Sequence, residues 1–377
     1  MITGTLLGGG ITVDLDAIAR NWRALDTVAS SALTAAVLKA DAYGTGARAV
    51  GRTLYKAGAR FFFVATPDEG VHLRAALPAE AHIFVLDGLL PGTSADYAGH
   101  RLMPVLASLE QLGEWLDFCI ERSQPFPAAL HFDTGFNRVG IRSEDAERTR
   151  AELDRSGFEP QMVMSHFACA DQPTHEMTRK QHGIFQSVLT QFPNTPASIA
   201  NSAALMTSRD FHFQMVRPGI ALYGGRAVNG RANPMSPVVS MHVPVLQVKQ
   251  ARMGETVGYG AAYRLRRDTR LAIMALGYAD GFMRALGGTV GNPGGRVAIE
   301  GRIAPILGRV SMDMTAVDIT DIDVPVKPGD LLEVLGQTVR IDDVADAART
   351  IGYEILTTLN GRFPRQYVNV PPGVDIG

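Results

Sequence analysis

Along the first two-thirds of the chain, short apolar runs alternate with stretches whose apolar residues recur every three or four positions. Eight runs read as buried strands: AAVLK (35 to 39), RFFFVA (60 to 65), HIFVLD (82 to 87), LMPVLA (102 to 107), AALHFD (128 to 133), QMVMSH (161 to 166), ASIAN (197 to 201) and MVRPGIALYG (215 to 224). Between the sixth and seventh, Ile184, Phe185, Val188, Leu189 and Phe192 keep helical spacing. Ahead of the first, Leu15, Ile18, Trp22 and Leu25 do the same, with Asp14 placed to cap that helix. Such alternation is the mark of βαβ units on a parallel sheet. An open doubly wound sheet would give a similar string, but Lys39, Asp133, His166 and Asn201 all fall at the C-terminal ends of strand candidates. A (β/α)8 barrel of the TIM type gathers those ends on one face, so the α/β barrel is the expected fold.

The run GRAVNGRANPMSP (225 to 237) is rich in Gly, Asn and Pro and reads as a linker. Beyond it the pattern changes to repeated short strands: VVSMHVPVLQV, LAIMALGY, RVAIEGRIAPIL, MTAVDI and DLLEVLG, with a turn at Met253 and Gly254. A helix from about Asp342 to Arg349 and another after Tyr353 interrupt them. The expected organisation is a barrel over residues 1–232 and a mostly β C-terminal domain over 233–377, with the first ten or so residues free to join the second.

Composition narrows the function classes. At 377 residues and a formal net charge of −2, with no Lys/Arg-rich block, the chain lacks the electrostatic footprint of a nucleic-acid binder, and a small molecule is the expected partner. Cys119 and Cys169 alone give neither a disulfide framework nor a zinc-type cluster, which suits a reducing compartment. The N-terminal apolar run lacks a basic segment before it and a small-residue cleavage site after it, and no apolar stretch is long enough to span a bilayer. A cytoplasmic enzyme is therefore expected.

Two distant motifs suggest the chemistry. VLKADAYG supplies Lys39 and TVGYG supplies Tyr259, and a reaction that takes a proton from one face of a carbon and returns it to the other needs two acid/base groups. Alone, Lys39 reads as a strand-end lysine reaching solvent, and Tyr259 as a half-buried strand tyrosine. Together with HFDTGFNRVG, MSHFACAD, ANSAA, VRPGIALYG, LGYADGFMR and LGRVSMDMT, in order and across most of the chain, the motifs resemble the alanine racemase family.

That resemblance implies a homodimeric enzyme using pyridoxal 5′-phosphate, with Lys39 bonded to the cofactor and acting as one base. Tyr259, reaching over from the other subunit, is the second. Tyr43, Asn201, Ser202, Gly219 and Ile220 would hold the phosphate end, His166 would lie against the ring, and Arg217 would face its nitrogen. Arginine only donates, so it cannot hand that nitrogen a full proton as an acid would. Arg138 is expected to take the substrate carboxylate, with Tyr278, Met312 and Asp313 near the substrate and Asp171, Arg284 and Arg309 at the entrance.

Two positions depart from the family pattern. His131 stands where many members have a carbamylated lysine that steadies the arginine corresponding to Arg138, and imidazole forms no stable carbamate. Gly361 stands where a tyrosine often touches the phosphate and narrows the entrance.

The implied function is L-alanine/D-alanine interconversion, a source of D-alanine for peptidoglycan precursors, with a broader amino-acid racemase as the alternative. A basic amino-acid decarboxylase would need a cysteine and aspartate motif and an acidic partner for the ring nitrogen, where this chain has SMDMT and Arg217. A non-catalytic cofactor-binding barrel would lack the second domain and Tyr259.

Overall fold

The computed structural model describes residues 8–359 and 362–376, so Gly361 lies outside the described residues. Eight parallel strands form the expected barrel: Leu33–Thr34 continued by Ala36–Val37, then Phe61–Val64, His82–Val85, Met103–Leu106, Ala129–Asp133, Met162–Met164, Ala197–Ser198 and Met215–Val216. The first seven pair in sequence order. The eighth closes the ring by pairing Met215 with Leu33 and Val216 with Thr34. Between seventh and eighth, the Gln214 N–H donates to Ala197 O at 3.1 Å and the Arg217 N–H to Ala200 O at 2.9 Å.

These strands are apolar on both faces, because side chains fill the barrel inside while helices cover it outside. Phe62, Phe63, Val64, Ile83, Val85, Val105 and Leu106 have no exposed surface. Strand pairing stops short of the apolar runs. The strands end at Val37, Met164 and Ser198, which leaves Lys39, His166 and Asn201 on the rim just beyond the last paired residues.

The helix Leu15–Ala29 begins where its cap predicts, with the Asp14 carboxylate accepting from the Ala17 N–H at 2.9 Å. Its apolar stripe of Leu15, Ile18, Trp22 and Leu25 is buried. On the same helix, buried Asn21 donates to Leu222 O and Ser236 O and accepts from the Ser236 N–H. One side chain thus ties the barrel's last segment to the chain leaving it.

After that segment, Thr269–Met274, Thr315–Asp318, Arg302–Leu307, Arg296–Ile299, Leu331–Leu335 and Val239–Ala251 form an antiparallel ring, which closes because the long last strand also pairs with the first. Register shifts beside Met241 and Val245 bend that long strand enough to serve both neighbours. The N-terminal strand Gly10–Asp14 belongs to this sheet, running antiparallel to Val239–His242 and parallel to Arg365–Val368. Helices Ile341–Ala348 and Gly352–Thr358 complete the second unit. The latter lies against the segment after Lys39 so closely that a Cβ on Gly44, whose φ is +78°, would stand 2.6 Å from Leu356 O. That packing carries Tyr353 to the barrel's open face. Among the described residues, no helix is long and apolar enough to cross a membrane.

Candidate active site

At the C-terminal ends of the barrel strands lies a cavity of about 290 Å³. Lys39, Tyr43, Arg138, His166, Asn201, Ser202, Arg217, Gly219 and Ile220 all line it, so nine residues singled out from the sequence meet in one place.

Lys39 enters on an unusual piece of backbone. Ala40, Asp41, Ala42 and Tyr43 have φ of 53°, 52°, 53° and 55°, forming a left-handed turn. Residues with a Cβ pay about 1–2 kcal/mol each for this conformation, so tertiary contacts must hold the turn. Asp41 Oδ1 accepts from the Ala47 N–H at 2.7 Å, and the Tyr43 ring stacks on Tyr223 at 4.6 Å. Tyr223 is itself fixed by its hydroxyl donating to Val37 O at 2.8 Å. The turn thereby places Lys39 and Tyr43 in the same cavity. Burial and then the Arg138 charge push the Lys39 amine below its ordinary pKa, while Asp87 and Glu69 oppose them. A lowered amine pKa populates the neutral, nucleophilic form at lower pH.

The opposite wall is a set of donors. Ser202 Oγ accepts from the Gly219 N–H at 2.8 Å and from the Ala221 N–H at 3.4 Å. Asn201, rather than Ser202, caps the short helix Ser202–Thr207 by accepting from the Ala204 N–H at 3.0 Å. Ile220 is fully buried, and its N–H meets no acceptor among the described residues. A Cβ on Gly219 would fall 2.3 Å from the Tyr43 hydroxyl, so glycine lets these groups converge. Burial drives the Tyr43 pKa far above its usual value, which keeps the hydroxyl a donor.

Arg217 is 4% exposed, and its guanidinium contacts no carboxylate among the described residues. It donates to Ser198 Oγ, to Ser165 O at 2.6 Å and to His166 Nδ1 at 3.4 Å. Burial lowers its pKa to about 9, which leaves it charged at neutral pH. The guanidinium can only donate, so His166 Nδ1 accepts and the neutral ring carries its proton on Nε2. Burial first, then the positive charges of Arg217 and Arg138, hold His166 well below the usual histidine range.

Arg138 sits on a loop built by Asp133, whose carboxylate accepts from the N–H groups of Gly135, Phe136 and Asn137 at 2.8, 2.8 and 2.9 Å. Its guanidinium lies 4.2 Å from the centre of the Phe136 ring. Gly140 closes the loop at φ +134°, where a Cβ would stand 2.6 Å from the Asp133 backbone nitrogen. Gly140→Ala should therefore cost about 2–3 kcal/mol. Because the loop carries Arg138, KM for substrate should rise as well, which thermal melts and steady-state kinetics on the same variant would show.

His131 is 6% exposed in the cavity wall. Burial, followed by Arg217 and Arg138, lowers its pKa to about 4, so it supplies no negative charge to steady Arg138. Among the described residues, the carboxylate lining the cavity is Asp87, itself pushed up by burial and Glu69 and drawn down by Lys39 and Arg138. Sequence reasoning did not find it, because an aspartate after an apolar run looks like an ordinary loop residue. A histidine held neutral stabilises the fold fully above its unfolded pKa, near 6.5, and loses that contribution as pH falls towards the folded value. For His131 the loss between pH 6.5 and 4 amounts to about 3 kcal/mol. Wild-type Tm should drop across that window, and His131→Gln should flatten the drop.

The residues expected from the second unit lie elsewhere. Tyr259 is 70% exposed on a loop between Gly258 and Gly260, backed by Arg309: a Cβ on Gly260 would meet Arg309 Nη1 at 2.7 Å. Tyr278 and Met312 are exposed neighbours, joined where the Tyr278 N–H donates to Ser311 O and the Ala279 N–H to Met312 O. Asp313 accepts from Arg362 at 2.7 Å, and Arg284 starts a short 3-10 helix. Asp171, on the barrel side, accepts from the Asn229 side chain at 2.7 Å. None of these seven lines the cavity of its own chain. Tyr353 does, with its ring 5.8 Å from Tyr43, although the sequence marks it only as the place where a helix begins.

A barrel with a half-buried lysine, two guanidinium groups and an unpaired backbone donor around one cavity, joined to a β-domain, defines a two-domain enzyme that binds anionic ligands at a basic lysine. Family models described as the alanine racemase N-terminal and C-terminal domains match residues 13–227 and 238–367. The biosynthetic alanine racemase of Agrobacterium fabrum is 46% identical over 366 residues, covering 95% of this chain and 93% of that protein. The catabolic alanine racemase of the same organism is 42% identical over 368 residues, covering 97% and 93%. The crystal structure of alanine racemase from Bartonella henselae with covalently bound pyridoxal phosphate superposes with a TM-score of 0.89 at 34% identity, over 96% of this chain and 99% of that one. The chain belongs to the alanine racemase family.

Proposed function

We infer that the protein is a pyridoxal 5′-phosphate-dependent racemase interconverting L- and D-alanine, working as a dimer of this chain. The observation that carries the reading is that Lys39, Arg217, Arg138 and the donor wall of Tyr43, Ser202, Gly219 and Ile220 surround one cavity. The residues fit the cofactor: the orphaned Ile220 N–H and the Tyr43 hydroxyl over Gly219 suit a phosphate, and Lys39 is the amine available to its aldehyde. When bound, the cofactor supplies the conjugated system that makes the substrate Cα acidic.

The chain's residues supply the rest. Arg138 binds the substrate carboxylate. Arg217, a donor with no acid among its partners, would be the residue towards the ring nitrogen of a bound cofactor; it could not give that nitrogen a full proton, which would favour proton return over side reactions. The decarboxylase plan, with a carboxylate at that place, has no counterpart here.

Lys39 exchanges the Cα proton on the D face through Nζ, and Tyr259 from a second copy of the chain exchanges it on the L face. An ordinary tyrosine has a pKa near 10, so the hydroxyl needs a proton path, and His166, whose proton the Arg217 bond to Nδ1 keeps on Nε2, offers one. The exposure of Tyr259, Met312 and Tyr278 on one unit supports burial against a second copy. We also place the division between barrel and β-domain at residues 232 and 233, and the active enzyme in the cytoplasm. Incubating the purified protein with L- or D-alanine and following optical rotation tests the reading. Equal end points from both isomers are expected; no rotation change with the cofactor bound would overturn it. Serine and lysine as comparison substrates read its range.

A further inference from the structure

We propose that Glu69 is a positioning residue for Lys39: its carboxylate ties the first backbone N–H of the left-handed turn to the end of the second barrel strand, and so fixes the direction from which the amine enters the cavity. Oε1 accepts from the Ala40 N–H at 2.7 Å and Oε2 from the Ala65 N–H at 2.7 Å. Ala40 directly follows Lys39, and Ala65 lines the cavity.

Glu69 also belongs to a capping box on the helix Pro67–Arg74, where the Glu69 N–H donates to Thr66 Oγ1 at 3.3 Å. A residue serving only that box would aim its carboxylate at the Thr66 N–H. Here that contact is 3.5 Å, the longest the carboxylate makes; one short bond goes to Ala65, just before the cap, and the other crosses to the turn after Lys39. A glutamine could not replace both, since its amide offers one oxygen and would turn donors towards the second N–H.

The charge acts in the same direction. Around the amine, Arg138 favours the neutral form, while Asp87 and Glu69 favour the protonated one. His166 and His131 share the cavity as neutral rings, with Arg217 behind them. Glu69 therefore keeps burial from lowering the amine further.

The inference rests on Lys39 as the cofactor-bearing lysine, but its test does not need racemisation. In the full chain freed of cofactor, an amine-reactive reagent applied at graded pH, with Lys39 labelling followed by peptide mapping, gives the midpoint of its titration. Glu69→Gln should move that midpoint lower, because a neighbouring negative charge is gone. Thr66→Ala, which breaks the capping box alone, should leave it unchanged. Glu69→Asp keeps the charge but is too short to reach both N–H groups; its midpoint should stay near wild type while pyridoxal phosphate is captured about tenfold more slowly. A wild-type midpoint in Glu69→Gln, or an equal shift in Thr66→Ala, would overturn the proposal. If the glutamine variant does not fold, Glu69→Asp decides alone, and cofactor capture at the wild-type rate sinks the idea.

Discussion

A Lys39→Ala chain is expected to fold with wild-type Tm to within about 1 kcal/mol of stability and to racemise alanine at least about a thousandfold more slowly. The lysine is half-buried and its amine makes no hydrogen bond among the described residues, so truncation removes chemistry without opening the core. The visible absorbance of the lysine-bound cofactor should vanish with it. Borohydride reduction of the loaded wild-type protein, followed by peptide mapping, should mark Lys39. A mark on any other lysine would reassign the whole cavity.

The second large effect concerns Tyr259. Since this residue is exposed and absent from its own chain's cavity, neither Lys39→Ala nor Tyr259→Phe homodimers should hold a complete set of bases. Mixed in equal amounts and allowed to exchange, half the dimers become hybrids, each with one intact site of two, so activity should recover to about a quarter of wild type. Fluorescence transfer between labelled subunits would verify exchange. Exchange without recovery would mean that each chain builds its site alone.

Much of the fold and of the cavity is legible in the sequence. The barrel strands are buried on both faces and therefore read as uninterrupted apolar runs, and chemistry-bearing side chains stand out at their ends. Lys39, His166 and Asn201 were visible for that reason. The second unit's strands were visible too, but its ring was not: closure depends on Val239–Ala251 pairing with two distant strands, a long-range choice that local pattern does not encode. Nor does any propensity announce four left-handed residues in Ala40, Asp41, Ala42 and Tyr43, because tertiary contacts impose that backbone. Glu69 did carry a signal, the Thr66-x-x-Glu69 spacing, yet that spacing speaks of a helix start and is silent about the neighbouring turn. Asp87 and Tyr353 gave none, since what distinguishes them is the cavity they face.

The left-handed turn also orders events during folding. Four such residues cost roughly 4–8 kcal/mol before any compensation, so the turn cannot be an early, local structure. It forms only once Glu69, Tyr223 and the helix Gly352–Thr358 have arrived, and these come from the helix after the second barrel strand, the last barrel segment and the C-terminal unit. The Lys39 amine is thus among the last groups to be set in place. A nascent or partly denatured chain, though it contains the same lysine, has no preformed trap for an aldehyde, and cofactor uptake during refolding should trail the recovery of secondary structure.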